Sequence, residues 1–396
     1  MSVQERCYSQ NKIARDTESP APTILHVITG LGVGGAEGAL VNLAISARDP
    51  ARPLAVAALV ADGPNRRKLE AAGVRVFDVG MQRGRLSLVA VFRLARIMRE
   101  MRPAFVQSWM YHADLMSLIS LWLSGRRLKT RLLWSIRCSG MDASQYKPTF
   151  SVVVWAWTKL ARFADAVIAN SDAGVATHRA MGFYTRSLVR INNGIDTAFF
   201  HPNASARAEV RRQLDIPADA VVITTVGRVD PMKDHNLFLR VIDQLDGIIS
   251  VAIGLGTDAL PDQPRLLRLG QRDDVPRLLA ASDVLVSTSR FGEGFPNAVV
   301  EAMSCGLPVV ATDVGDVRSI IGDTGMVISV GDEQGLVDAI RGLIADASRR
   351  QRLGQAARQR AEARFGLSRM VDAFADVYND MQAGETARTS QHEPMR

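Results

Sequence analysis

Cysteine is scarce in this chain. Cys7, Cys138 and Cys305 are the only three in 396 residues, with no C-x-x-C spacing and no histidine cluster beside them. That excludes a disulfide framework and a structural zinc site, and it suits a reducing compartment. No apolar run approaches the ~20 residues that a helix needs to cross a bilayer. Residues 1–22 contain no apolar core of the kind a secretory leader carries. They read as a disordered tail, as do residues 383–396, and the expected location is the cytoplasm. No Lys/Arg run or basic–aromatic repeat stands out, so nucleic acid is not an expected partner. With no D-x-D segment and no ligand cluster, no metal is expected either.

What is present is enough chain for about two domains. The net charge of +7 is unevenly spread: residues 1–200 hold 26 Lys/Arg against 14 Asp/Glu, and the remainder 22 against 27. A basic first half suits a phosphate-bearing acceptor or an acidic membrane face, and equally an ordinary solubilising surface. From Thr23 onward, short apolar runs such as ILHVIT, LAVAALV and FVQSW alternate with helical patterns, which means βαβ units on a parallel sheet. The rhythm pauses at the turn-rich Asn193–Asn203 and restarts with VVITTV at Val221–Val226. The fold class read from this is α/β, with two doubly wound, Rossmann-like domains facing across a cleft. The expected divisions are 23–197, 198–366, and a terminal helix at 367–382. A ligand belongs at the carboxyl ends of the strands, between the domains.

Three constellations carry chemistry. Gly30-Leu-Gly32-Val-Gly34-Gly35 lies between a strand and a helix and satisfies G-x-G-x-x-G. It suits an anion at a helix N-terminus, or simply a tight turn. Gly227-Arg228-Val-Asp-Pro-Met-Lys233-Asp234 follows a strand and delivers two cations to one crevice. A guanidinium and an ammonium suit a diphosphate, although two surface cations beside Asp230 and Asp234 would read the same way. The most specific segment runs from Phe291 to Met303, with Glu293 and Glu301 eight residues apart across a helix start at Pro296 and Asn297. It places one carboxylate at the mouth and one deeper, both acceptors for paired sugar hydroxyls. His112, just after strand Phe105–Trp109, is a further strand-end candidate. Trp155 and Trp157, with Lys147, Lys159 and Arg162, suit either a buried core or a membrane interface.

The E-x7-E segment closely resembles the donor-site signature of family 4 (group 1) glycosyltransferases, retaining enzymes of the GT-B fold. The likeness covers about Thr23 to Asp380. It includes GGAEGALVNLA at Gly34–Ala44, WMYHADL around His112, WSIRCSGMD at Trp134–Asp142, VIANSDAG at Val167–Gly174 and NNGIDTAFFHP at Asn192–Pro202. The resemblance implies that the N-terminal domain holds a saccharide or lipid-linked saccharide acceptor. The C-terminal domain would hold a UDP- or GDP-linked sugar as co-substrate, with no other cofactor. It implies that Arg228 and Lys233 hold the donor diphosphate with backbone of Gly34 and Gly35. Glu301 would bind the ribose and Glu293 the transferred sugar. Backbone N–H groups of the Gly294-Phe295-Pro296-Asn297 loop would reach sugar or phosphate, and His112 would sit at the reacting centre. Gly270–Asp274 would face the base, and the last helix would cross back onto the first domain. One departure stands out: between Gly256 and Leu266 a short Pro-containing stretch replaces the family's usual helix.

The implied reaction is sugar transfer to a hydroxyl with retention, metal-independent, in bacterial surface polysaccharide or glycolipid synthesis. Domain closure is expected to assemble the site and exclude water. Other functions stay open on the residues alone. The Gly30–Gly35 loop permits an NAD-dependent oxidoreductase, and the same architecture serves nucleotide-sugar epimerases.

Overall fold

The computed structural model describes residues 23–47, 52–81, 87–140 and 148–384. The two tails expected at the ends lie outside the described residues, apart from 383 and 384, as does Lys147. Strands β1 (Ile24–Gly30), β2 (Leu54–Val60), β3 (Arg75–Asp78), β4 (Phe105–Trp109), β5 (Arg131–Ile136), β6 (Ala166–Ala169) and β7 (Leu188–Arg190) form one sheet. Its order is β3-β2-β1-β4-β5-β6-β7, parallel throughout. Strands β8 (Val221–Val226), β9 (Ile248–Ile253), β10 (Leu266–Arg268), β11 (Val284–Ser287), β12 (Val309–Thr312) and β13 (Met326–Ile328) form a second parallel sheet, ordered β10-β9-β8-β11-β12-β13. Helices cover both faces of each sheet, so the central strands are apolar on both sides. This is why they stand out in the sequence as mainly apolar runs, broken by a few buried polar residues such as His26, Gln107 and Thr224.

In each sheet the strand order reverses once among the central strands, between β1 and β4 and between β8 and β11. Such reversals leave a crevice above the carboxyl ends of the strands. Register sets those ends level, with Ile28 opposite Trp109 in the first sheet and Leu285 opposite Thr224 in the second. The crevice of the first domain receives the Gly30–Gly35 loop and His112. That of the second receives Gly227–Lys233 and Thr288–Asn297.

The chain crosses between domains twice, and the crossings are bonded to each other. Ile195 N donates to the Phe365 carbonyl at 2.8 Å, and Leu367 N to the Ile195 carbonyl at 2.9 Å. The terminal helix Leu367–Gln382 then lies on the first domain, Phe374 stacking on Trp109 at 6.1 Å and Tyr378 meeting Phe105 at 5.1 Å. Between Gly256 and Leu266 only a short 3-10 turn, Thr257–Ala259, remains.

Several elements differ from the sequence reading. Strand β7 and helices Ala204–Gln213, Val317–Ile321 and Ala347–Phe365 are additional. The two tryptophans divide between the alternatives. Trp157 is fully buried, donates Nε1–H to Asp114 at 2.7 Å and stacks on Trp134 and Phe183, whereas Trp155 is 63% exposed.

Candidate active site

Strand β4 ends at Trp109, and Met110 turns the chain at φ 76° into helix Tyr111–Leu123, which places His112 on its first turn. The imidazole is half-buried, and desolvation lowers its pKa. Below it, Trp109 Nε1 donates to His26 Nδ1 at 3.3 Å, and the Arg137 guanidinium lies 4.0 Å over the Trp109 ring. Burial pushes His26 down to about 3 and Arg137 down to about 9. Arg137 donates to the Asn193 amide oxygen at 3.1 Å, Asn193 to Asn297 at 2.8 Å, and Asn297 to the Gly35 carbonyl at 3.3 Å. A chain of amides therefore runs from the first sheet, through the hinge segment, to the second domain's helix start and back to the glycine loop.

In the second domain, Lys233 Nζ pairs with Glu293 Oε1 at 2.5 Å, and Ser289 Oγ donates to the same oxygen at 2.9 Å. The Thr288 hydroxyl ties β11's end to the carbonyls of Lys233 and Asp234, both at 3.0 Å. The sequence reading put Glu293 at the mouth and Glu301 deeper; the structure takes both carboxylates out of water. Glu293 is 7% exposed and ion-paired, because its loop folds under the first domain, and Glu301 as a whole residue is half-buried. Among the described residues the Glu301 carboxylate accepts no hydrogen bond, and desolvation raises its pKa to about 7 against the opposing pull of Lys233.

Helix Asn297–Ser304 starts behind Pro296, which has no N–H and serves as the cap position, not as a donor. The Phe295 ring is buried edge-on against Phe365, at 5.5 Å. Gly294 packs against Asn170 and Ser171 so closely that a Cβ would crowd both side chains. Among the described residues the N–H groups of Gly294, Phe295 and Asn297 make no hydrogen bond, so they remain available to a ligand.

A cavity of about 870 Å³ opens between the domains. Gly32, Val33, Glu37, Asp62 and Met81 line one side, and Arg228, Leu255 and Gln271 the other. Of the four residues read as catalytic, Arg228 lines this cavity; His112, Lys233 and Glu293 do not. Arg228 is exposed and pairs with Asp230 at 3.1 Å, while Asp234 caps helix His235–Asp243. Of the segment Gly270–Asp274, Gln271 reaches the cavity, and Arg272 is engaged by Asp274 at 2.7 Å. Among the described residues no group of His, Cys, Asp and Glu is placed to hold a metal.

The sequence reading assigned nothing to Ser139, Ser289 or Asp316, which hold the Glu293 segment in place. Ser139 sits in the quoted WSIRCSGMD, but its partner Glu293 is 154 residues away, and the Asp316 carboxylate bonds Asp172 and Ala173, 144 and 143 residues away, so no local pattern reports them.

Comparison with known proteins places this geometry. Residues 33–199 match the family model Glycosyltransferase Family 4, and residues 220–346 match Glycosyl transferases group 1. The chain is 32% identical over 254 residues to a D-inositol 3-phosphate glycosyltransferase of Xylanimonas cellulosilytica, covering 57% of this chain and 60% of that one. It is 35% identical over 234 residues to an N-acetyl-alpha-D-glucosaminyl L-malate synthase of Bacillus anthracis, covering 54% and 61%. The matched part thus spans just over half the length of these curated relatives. Among solved structures, HepE of Anabaena in complex with UDP-glucose superposes with a TM-score of 0.80 at 23% identity, over 90% of this chain and 99% of that chain. That likeness is one of fold, and with two parallel-sheet domains it establishes the GT-B architecture. By both family matches and by its fold, the chain belongs to the group 1, family 4 glycosyltransferases.

Proposed function

We propose that the chain transfers a sugar from a UDP- or GDP-linked donor to a hydroxyl of a saccharide or lipid-linked saccharide, with retention at the anomeric carbon. The observation that carries this reading is the convergence of both strand-reversal points on one interdomain cleft. Arg228 lines that cleft. Lys233, Glu293, Glu301 and the N–H groups of Gly294, Phe295 and Asn297 follow the carboxyl ends of β8 and β11 in the same domain, as cations and donors for a diphosphate and acceptors for hydroxyls. In this reading Arg228 and Lys233 take up the charge that builds on the departing phosphate, assisted by backbone at Gly34 and Gly35. Glu301 binds the ribose, and Glu293 the sugar being moved. The N–H groups of Gly294, Phe295 and Asn297 meet sugar or phosphate oxygens. His112 sits at the reacting centre as a neutral imidazole.

Retention is what the family resemblance implies, and the way Glu293 is held bears on its route. With Lys233 and Ser289 both on one oxygen, it suits hydroxyl binding better than attack on carbon. The leaving phosphate takes the acceptor's proton on the face it departs from, the acceptor oxygen bonds to the anomeric carbon, and no cofactor or metal enters. The workplace we assign is the cytoplasmic face of a membrane, in envelope polysaccharide or glycolipid synthesis. It is supported by the basic first half and by exposed Trp122, Val152 and Trp155 with Lys159 and Arg162 nearby.

A thermal-shift panel of UDP, GDP, their sugars and NAD(P) tests the reading, with Glu301→Ala alongside. A ligand present at ~100 times its dissociation constant adds about 2.7 kcal/mol. Stabilisation by UDP or GDP that the variant loses supports the donor site and names the base. Stabilisation by NAD(P) alone overturns it.

A further inference from the structure

The loop that carries Glu293 is not held by its own domain alone. Ser139, which follows β5 in the first domain, donates its hydroxyl to the Glu293 carbonyl and its N–H to the Gly292 carbonyl at 3.2 Å. The next carbonyl, that of Gly294, accepts from Asp316 N at 3.1 Å. Asp316 is 5% exposed, and its side chain faces the other way, across the domain boundary. Its two carboxylate oxygens accept from the N–H groups of Asp172 and Ala173, each at 2.9 Å, at the start of helix Asp172–Ala180. Arg190 of β7 binds Asp316 at 2.9 Å and Asp172 at 2.5 Å. The turn depends on Gly315, at φ 65°, where a Cβ would collide with the Glu293 carbonyl.

Two charge-assisted hydrogen bonds at a helix N-terminus, backed by a guanidinium, make a directional clasp. This clasp joins the acceptor domain to the residue whose own N–H holds the sugar-side loop. We propose that Asp316 is a positioning residue of the transfer reaction. It fixes the Glu293 loop for the sugar only while its carboxylate is docked on helix 172–180. The inference rests on Glu293 as the sugar-binding carboxylate, the reading given above. It makes closing the cleft and shaping the sugar site one event. When the domains part about the Ile195–Gly366 pivot, the Glu293 and Gly292 carbonyls lose Ser139, and Asp316 loses its dock. A donor bound in the open form then meets water with no ordered sugar site to promote its hydrolysis.

The test compares Asp316→Asn, Asp316→Ala, Arg190→Ala and Arg190→Lys with the wild type. Readouts are turnover, UDP and GDP affinity by calorimetry, and small-angle scattering with nucleotide bound. Asp316→Asn and Asp316→Ala should lose turnover on the order of 100-fold, as misplaced reacting groups do. Nucleotide affinity should fall far less than turnover, since Arg228, Lys233 and Glu301 all belong to the second domain and stay in place when the clasp is lost. Arg190→Lys should recover most of what Arg190→Ala loses, and scattering should shift to a larger radius in both Asp316 variants. Full turnover in Asp316→Asn, or a loss of nucleotide affinity in step with turnover, overturns the proposal. If the wild type uses no nucleotide sugar, the parent reading fails. Scattering then decides the clasp by itself, and an unchanged radius overturns it.

Discussion

Lys233 and Glu293 neutralise each other at 2.5 Å across the carboxyl ends of β8 and β11, both side chains largely out of water. The ammonium is committed to this carboxylate, so on the proposed reading a donor phosphate would share it with Glu293. Removing the cation leaves a buried anion with only the Ser289 hydroxyl for compensation.

Lys233→Ala should therefore lose stability as well as activity, by about 3 kcal/mol if it behaves like other broken buried pairs. Adding Glu293→Gln should restore most of the stability and none of the turnover. Denaturant unfolding of the two singles and the double gives the coupling energy, and additive losses would contradict the pairing.

Glu301 yields a prediction with the opposite sign. Its folded pKa of about 7 lies above the ordinary 4.5 because burial disfavours the charge. Between those values the folded protein holds a proton that the unfolded chain has released, so this group's contribution to stability falls as pH rises. Glu301→Gln should gain melting temperature relative to wild type on going from pH about 4.5 to above about 7, while losing nucleotide affinity. Melting curves across that range, with and without UDP or GDP, check both halves.

His26 works the other way. Its folded pKa of about 3 lies below the ordinary 6.5, so the unfolded chain takes up a proton that the folded one refuses. Stability from this group is present above 6.5 and drains away as pH falls towards 3, by up to about 1.4 kcal/mol per pH unit. Against His26→Gln, the wild type's advantage should shrink steadily from pH 6.5 to 4 in chemical denaturation. An advantage that stays constant would contradict the buried, neutral imidazole.

Legibility in the sequence followed burial. Strands β2, β4 and β8 are recovered because strands covered on both faces are apolar over most of their length, with Gln107, Ser108, Thr224 and Thr225 buried among the apolar residues. Strand β7 was missed because it is three residues long, with only Val189 fully buried. Helix Ala347–Phe365 was missed because it packs through Gly354, Ala357, Ala361 and Phe365. Small residues set among arginines leave no apolar stripe for a periodicity argument to find. The candidate site divides the same way. Glu293 and Glu301 are visible as a spacing, whereas the depth of each depends on how the first domain folds over the Glu293 loop. Ser139 and Asp316 act on residues far away in the chain, and a single sequence carries no local trace of that.

The paired crossings at Ile195 and Gly366 bear on how the molecule is made. The first domain's core includes Met370, Phe374, Val377, Tyr378 and Met381, contributed by the last helix. During synthesis from the N-terminus, Trp109 and Phe105 emerge long before the rings that cover them. The second domain, contiguous in sequence between the crossings, can complete itself first. The nascent first domain must wait with an uncovered aromatic face until the ribosome releases the final turns. A chain cut short before Leu367 would keep that face bare and should aggregate, even with its second domain fully folded.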